Sequence, residues 1–424
     1  MQYQITAPSR LLGTVRLPAS KSISNRALII HALSGGIVPS AAQDNVVLPE
    51  NLSDCDDTAV MIHALQHRPH EIDIKAAGTA MRFMTAYLAL CDGEEHLLTG
   101  TERMKQRPIS VLVDALRCLG ADITYVGQDG FPPLLIKGRK LQGGTLEVPG
   151  NISSQFISAL LLIAPHLRDG LTLHLKGDVI SRPYIDLTLW MMREFCANAE
   201  WSEFDTICVK PQPYTPRPYC IENDWSAASY WYEMMALSAD IDDEIRLQGL
   251  MDGSKQGDSQ VRYIFSLLGV KTIFENPEEG KPTTVILRHK GHCVPRLEYD
   301  FSGSPDLAQT FIVCCSLLDV PFHFHGLSTL KIKETDRIEA MKTEMRKLGY
   351  VIRDIDGKEL IWDGERCEPS ADAGIDTYED HRMALSFAPA SLRFSGLRIN
   401  NPQVVTKSYP HYWDDLKKCG FSIL

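Results

Sequence analysis

The chain reads as an α/β (α+β) protein built in two halves, and three observations predict it. Short strand-like runs alternate with helix-like runs along all 424 residues. The helix-like runs come in pairs, and six such pairs recur at intervals of roughly 55 to 80 residues, longer than common solenoid periods. A proline-rich segment from Pro211 to Pro218 falls after the third pair and reads as a linker between the halves. A chain of this length also exceeds what one hydrophobic core usually serves.

Strands are expected at Thr14 to Leu17, Glu71 to Ile74, Ile123 to Val126, Leu171 to Leu175, Thr284 to Leu287 and Val351 to Ile355. The first helix of each pair is expected near Ser22, Thr79, Ser153, Ser226, Pro305 and His381. The second is expected near Cys55, Pro108, Pro183, Asp258, Glu334 and Tyr409. Pro108 and Pro183 suit a first helical position, where no backbone N–H is needed. The repeat is one of pattern only, without identity between the units.

Composition narrows the function. Hydrophobic residues make up 44% and charged residues 23% of the chain, as in ordinary globular proteins. The formal net charge of -11 disfavours nucleic acid or an anionic membrane surface as a partner. It leaves room for a small anion held by a local cluster of Arg and Lys. The N-terminus has no charged start followed by an apolar core, so no signal peptide is expected, and no apolar run nears the ~18 residues of a membrane span. The 11 cysteines include no CxxC pair, and adjacent Cys314 and Cys315 sit in an apolar helical pattern. That usage fits a reduced, cytoplasmic protein with buried thiols and no zinc site.

The residues able to carry chemistry gather at helix starts. Ser20, Lys21, Ser22, Ser24 and Arg26 open one helix with small hydroxyls and two cations. Helix N-termini offer unpaired N–H groups and positive potential, which suit an anion, whereas cations there oppose the helix dipole. A stability argument alone would place Asp or Glu in that turn. Gly78, Thr79 and Arg82 repeat the theme, Lys105 and Arg107 precede Pro108, and Ser153, Ser154 and Gln155 supply neutral donors at a third start. In the second half, Lys333, Glu334 and Arg337 stand within five residues, Asp380 and Arg382 open another start, Lys407 precedes the last helix, and Asp306 follows Pro305. Taken one by one, most of these are also ordinary caps or solvated ion pairs. Together they place cations of an acidic protein at helix starts in both halves, which a two-sided cleft for multiply anionic ligands would need, with Asp306 and Glu334 available for proton transfer.

The segments LPASKSISNRAL, GTAMR, MKQRPI, NISSQF, SRPYID, KIKETDRIEAM, DHRMALSFA and VVTKSYPHYW resemble, in order and over nearly the whole chain, the motif series of the 5-enolpyruvylshikimate-3-phosphate synthase family. The resemblance implies a two-domain inside-out α/β barrel, each domain made of three βαβαββ repeats. It implies a continuous domain of residues 20–223 and a discontinuous one of residues 1–19 plus 224–424. It further implies transfer of enolpyruvate from phosphoenolpyruvate to the 5-hydroxyl of shikimate 3-phosphate, by addition and then elimination of phosphate, in a monomer inhibited by glyphosate. No cofactor and no metal enter that scheme.

Carried over by motif position, Lys21, Ser22, Arg26, Ser153, Ser154, Gln155, Ser181, Tyr184, Asp306 and Lys333 resemble shikimate 3-phosphate contacts. Lys21, Gly78, Thr79, Arg107, Gln155, Arg337, Arg382 and Lys407 resemble the phosphoenolpyruvate side. Asp306 resembles the base for the 5-hydroxyl, Glu334 the proton carrier at C3, and Lys21 an acid for phosphate departure. The sequence departs from the common pattern at Ala76, where many members carry Asn, and at Thr329, which replaces an Asn. Two other readings remain open at this level: a UDP-amino-sugar enolpyruvyl transferase, which would use a loop cysteine, and a non-catalytic sensor of phosphorylated metabolites. The first lacks a matching cysteine here, and the second should have lost Asp306 and Glu334.

Overall fold

In the computed structural model of the chain, residues 1–35, 48–370 and 374–424 are described. Two compact units result, one of Ser20–Ile221 and one of Met1–Ala19 with Glu222–Leu424. Among the described residues, no helix is long and apolar enough to cross a membrane.

One unit of supersecondary structure is used repeatedly. In the Ser20–Ile221 unit, strands Glu71–Asp73, Glu95–Thr99, Leu134–Lys137 and Asp122–Tyr125 lie side by side in that order. The first two are parallel and the others antiparallel. Parallel neighbours need a crossover, which the Gly78–Ala89 helix provides. The next sheet repeats this arrangement with Gly144–Pro149, Leu171–Lys176, Thr206–Val209 and Ala199–Glu203.

The other unit holds two more copies. One comprises Leu297–Asp300, Phe322–His325, Glu359–Trp362 and Arg353–Ile355. In the other, Leu12–Arg16 pairs in parallel with Glu244–Leu250, so the excursion through the Ser20–Ile221 unit is inserted between two neighbouring strands. Among the described residues, the third copy has fewer strands in each unit. It is the three-stranded sheet of Leu397–Asn400, Gln2–Thr6 and Ser422–Ile423 in one. In the other, the described residues show the helices Lys21–Leu33 and Asp56–His67 with one isolated bridge, Glu50 to Cys220.

Helices, not sheets, fill the interior. The helices Trp225–Leu237, Ala308–Leu317 and His381–Phe387 in one unit, and Gly78–Ala89 and Ser154–Ile163 in the other, are buried on nearly every face. Such all-round apolarity marks a helix inside a core, while a one-sided stripe marks a surface helix. Ser110–Cys118 is of the second kind, burying Leu112, Val113, Ala115 and Leu116. Each buried helix is the first member of its pair. Cys314 and Cys315 lie inside Ala308–Leu317, fully buried.

All six expected strands and all twelve expected helices are present, with displaced starts in places. Glu334 does not begin its helix. Asp336 is the N-cap, its Oδ1 accepting from the N–H groups of Ile338 and Glu339, so the helix runs Arg337–Lys347. Pro305 and Asp258 fall in 3-10 turns that run on into helices at Ala308 and Val261.

The Pro211–Pro218 segment belongs to the Ser20–Ile221 unit and does not act as a linker. Tyr214 is 4% exposed and its hydroxyl donates to the Leu162 carbonyl at 2.9 Å. Proline lacks an N–H donor, and that suits a packed irregular segment as well as it suits a linker. The crossing is held elsewhere: Asn223 Nδ2 donates to the carbonyls of Leu17 at 2.7 Å and Gln248 at 3.0 Å.

Candidate active site

In the Ser20–Ile221 unit, three buried helices begin with no acidic residue in the first turn. Ser20 caps the first, accepting from Ile23 N, and Ser153 caps the third, accepting from Gln155 N. The outer Asp56–His67 helix instead starts with Asp56 and Asp57, as the dipole favours. Asp57, 4% exposed, reaches the Lys21 ammonium at 3.0 Å and holds it at the helix start.

Gln155 Nε2 donates to Thr79 Oγ1 at 3.2 Å, tying two of these starts together. The Arg107 guanidinium lies against Gly78 so closely that a Cβ there would stand 2.7 Å from Nη1. Arg82, buried, donates from Nη1 to the Gly78 carbonyl at 3.2 Å and from Nη2 to the Pro108 carbonyl at 3.3 Å. It thereby fixes the segment carrying Arg107 against the start of the Gly78–Ala89 helix.

Arg26 is used internally. It is 3% exposed and donates to Thr188 Oγ1, Ser158 Oγ and the carbonyls of Ser22 and Tyr184. Burial pushes its pKa down to about 10, against a raising influence from Tyr184. Its first task is to hold Ser22 and Tyr184 in place. Ser181 sits in the left-handed region at φ 54 and makes no cap bond to the Arg182–Glu194 helix. A β-carbon disfavours that conformation, so strain is concentrated at this residue.

The other unit gathers its expected residues into one charge network. Arg337, only 1% exposed, donates from Nη1 to Asp306 at 2.8 Å, from Nη2 to Glu334 at 3.0 Å and from Nε to Asp380 at 2.7 Å. Lys333 lies 3.3 Å from Asp306, Arg382 lies 3.2 Å from Asp306, and Lys407 lies 3.1 Å from Glu334. Arg382 also meets the Tyr230 hydroxyl at 3.2 Å and the Asp306 carbonyl at 3.1 Å.

The electrostatics follow from this crowding. Burial works to raise the Asp306 carboxyl, but Arg382, Lys333 and Arg337 overrule it and hold it well below the usual range. Burial also opposes charge on Arg337, yet Asp380, Glu334 and Asp306 keep its pKa raised. Asp258, buried and accepting from the Ser226 hydroxyl, is pushed up to about 6 by burial, with Arg382 acting against the rise. The Thr329 hydroxyl, buried in the turn before Lys333, has no hydrogen-bond partner among the described residues.

Every expected site residue thus falls in one or the other unit, giving two sets. Lys21, Ser22, Arg26, Gly78, Thr79, Arg107, Ser153, Ser154, Gln155, Ser181 and Tyr184 belong to the first. Asp306, Lys333, Glu334, Arg337, Arg382 and Lys407 belong to the second. Sequence reasoning missed Asp57, which looked like a dipole-matching first-turn acid, and the roles of Arg82, Tyr230 and Asp380. Asp380 and Arg82 left a usable signal, one standing beside Arg382 in the DHRMA segment and the other closing the GTAMR segment.

Comparison with known proteins gives the family. The profile of the EPSP synthase (3-phosphoshikimate 1-carboxyvinyltransferase) family matches residues 5–416. A 3-phosphoshikimate 1-carboxyvinyltransferase of Bacteroides fragilis is 57% identical over 423 residues, covering 100% of this chain and 99% of that protein. One from Photobacterium damsela subsp. piscicida is 36% identical, covering 96% of each. Among solved structures, an EPSP synthase from Acinetobacter baumannii superposes with a TM-score of 0.76 over 100% of this chain and 99% of that one, at 18% identity, a likeness of fold. With the family profile spanning nearly every element and a relative of equal length matching at more than half of its positions, the chain belongs to the EPSP synthase family of enolpyruvyl transferases.

Proposed function

We propose that the two clusters divide the work of enolpyruvyl transfer from phosphoenolpyruvate to shikimate 3-phosphate, with Asp306 and Glu334 moving the protons. The observation that carries this reading is the shared Arg337: one buried guanidinium holds both carboxylates, while Lys333, Arg382 and Lys407 surround them. Two multiply anionic substrates need such cations, and addition–elimination needs an acid and a base at different atoms.

In the addition, Asp306 accepts the proton of the 5-hydroxyl as its oxygen bonds to C2 of phosphoenolpyruvate, and Glu334, which takes up a proton from water once the substrate anions replace it as counter-ion to Lys407, delivers that proton to C3. In the elimination, Glu334 takes a proton back from C3 as the C–O bond to phosphate breaks, and Lys21 donates to the departing phosphate. Without substrate, Asp306 and Glu334 act as counter-ions to the cations, and Asp306 is a weak base. Substrate carboxylate and phosphate groups neutralise Lys333, Arg382 and Lys407, which raises the basicity of Asp306 as the reaction begins.

Ser22, Ser153, Ser154, Gln155, Ser181, Tyr184 and Lys333 are assigned to shikimate 3-phosphate, and the Thr329 hydroxyl, in the turn before Lys333, supplies a polar contact. Lys21, Gly78, Thr79, Arg107, Arg382 and Lys407 are assigned to phosphoenolpyruvate. Arg26 and Arg337 hold these contacts in place and meet a substrate only by sharing donors they already use. The enzyme works in the cytoplasm as a monomer, a reading that rests on its resemblance to the family. The UDP-sugar reading loses ground because the relatives named above are all shikimate-type enzymes.

Phosphate release, measured with each substrate omitted in turn, tests the reaction. Release that requires both substrates and falls by roughly a hundredfold in Lys21→Ala, on the scale of a lost general acid, is the expected result. Release from phosphoenolpyruvate alone, or an unchanged rate in the variant, would overturn the assignment. Gly78→Ala tests the site more finely. The new methyl displaces the Arg107 guanidinium, so KM for phosphoenolpyruvate should rise roughly tenfold or more, as for a lost charged hydrogen bond, with KM for shikimate 3-phosphate little changed. Equal changes in both constants would remove Arg107 from the phosphoenolpyruvate side.

A further inference from the structure

Away from both clusters, the strand Phe322–His325 carries two histidines on one face. Its alternation is strict: Phe322 and Phe324 are fully buried, so His323 and His325 turn outward together. The antiparallel neighbour Glu359–Trp362 buries Leu360 and Trp362 in the same way and presents Glu359 on that outer face. Pairing of Phe324 with Leu360 sets Glu359 one step beyond, level with His325.

The three side chains converge. His323 Nε2 lies 2.6 Å and His325 Nδ1 lies 3.3 Å from the same Glu359 oxygen, and the two imidazole centroids are 3.9 Å apart. One donor atom from each residue lies within 4.8 Å of the other two. A tetrahedral zinc ion, with bonds of roughly 2.0–2.2 Å to nitrogen and oxygen, keeps its donors about 3.3 Å apart. The existing spacing therefore needs only a small opening of the His323–Glu359 pair.

The surroundings favour a cation. On the other side of the histidines, the parallel strand Leu297–Asp300 sets Glu298 opposite His323 and Asp300 opposite His325. Nearby arginines are already tied to carboxylates: Arg296 to Glu298 and Asp363, and Arg353 to Asp363. A lone histidine beside a glutamate would be an ordinary surface pair worth little. Two imidazoles aimed at one carboxylate oxygen, on rigid adjacent strands, form a ligand set.

We propose that His323, His325 and Glu359 bind one divalent transition-metal ion of the zinc class, with the remaining coordination positions open to water. Two imidazoles and a carboxylate match the borderline character of that ion better than that of magnesium or calcium. The metal would bridge two neighbouring strands of one sheet. It takes no part in the transfer chemistry and does not depend on the roles assigned above.

The test uses the full chain, stripped with a chelator and titrated with cobalt(II) and then zinc(II). Cobalt should bind at one equivalent and give visible d–d bands without the intense near-ultraviolet band of cobalt–thiolate bonds, and zinc should displace it. His325→Ala and Glu359→Gln should each weaken binding by roughly tenfold or more, since altering even outer-shell partners of a metal site costs that much. Circular dichroism and phosphate-release activity should match the parent protein. A thiolate band, binding unaffected by both substitutions, or no cobalt uptake at millimolar concentration would each overturn the proposal. The spectrum of the parent protein decides the ligand type even if a variant folds poorly.

Discussion

Replacing Arg337 with alanine is expected to cost about 3–5 kcal/mol of stability, the usual penalty for leaving buried charge uncompensated. Its guanidinium is 1% exposed, and Asp380, one of its partners, is fully buried. The substitution would leave Asp380, Asp306 and Glu334 facing one another with one cation fewer. Against a total of roughly 5–15 kcal/mol for a folded domain, that is enough to melt the unit at moderate temperature. Urea denaturation checks it: the midpoint should fall sharply in Arg337→Ala and only partly recover in Arg337→Lys. Lysine restores the charge, but its single nitrogen cannot span three carboxylates in the geometry of a fork. A midpoint equal to that of the parent protein would show that the carboxylates are held by other groups.

Replacing Asp306 with asparagine should lower kcat by roughly 10²–10⁴, the usual scale of a lost general base, with far less effect on stability. The amide keeps one acceptor oxygen for Lys333 and Arg337, which share Oδ1, and loses only the one that Arg382 meets, so the fold is retained while the proton acceptor is removed. Removing one negative charge from this network leaves it more cationic, so KM for the anionic substrates should stay level or fall. Glu334→Gln should show the same pattern, with a further loss of hydrogen exchange at C3 of phosphoenolpyruvate. Single-turnover measurements separate these effects. Unchanged chemistry in either variant would sink the role assigned to that carboxylate.

Much of the architecture was legible because its causes are local. Strand alternation and helix periodicity depend on residues a few positions apart, so the six strands and twelve helices could be read directly. The cations at helix starts were legible for a related reason, since Lys21, the first residue of its helix, violates a rule that otherwise favours acids there. Glu334 escaped correct placement because capping depends on side-chain geometry, and Asp336, two residues on, made the stronger cap. Pro211–Pro218 misled because low N–H content looks the same in a linker and in a packed loop.

The partners within the site were not legible. Arg337 and Asp380 are separated by 43 positions, and Arg26 and Thr188 by 162, and no periodicity links such pairs. Sequence by itself determined the kinds of residue available, the elements carrying them and the family signature, because those follow from local propensity and ordered motifs. Tertiary structure decided which carboxylate faces which cation. It also gave Arg26 and Arg337 buried partners within the protein, because burial and charge pairing arise only when distant helix starts are packed together.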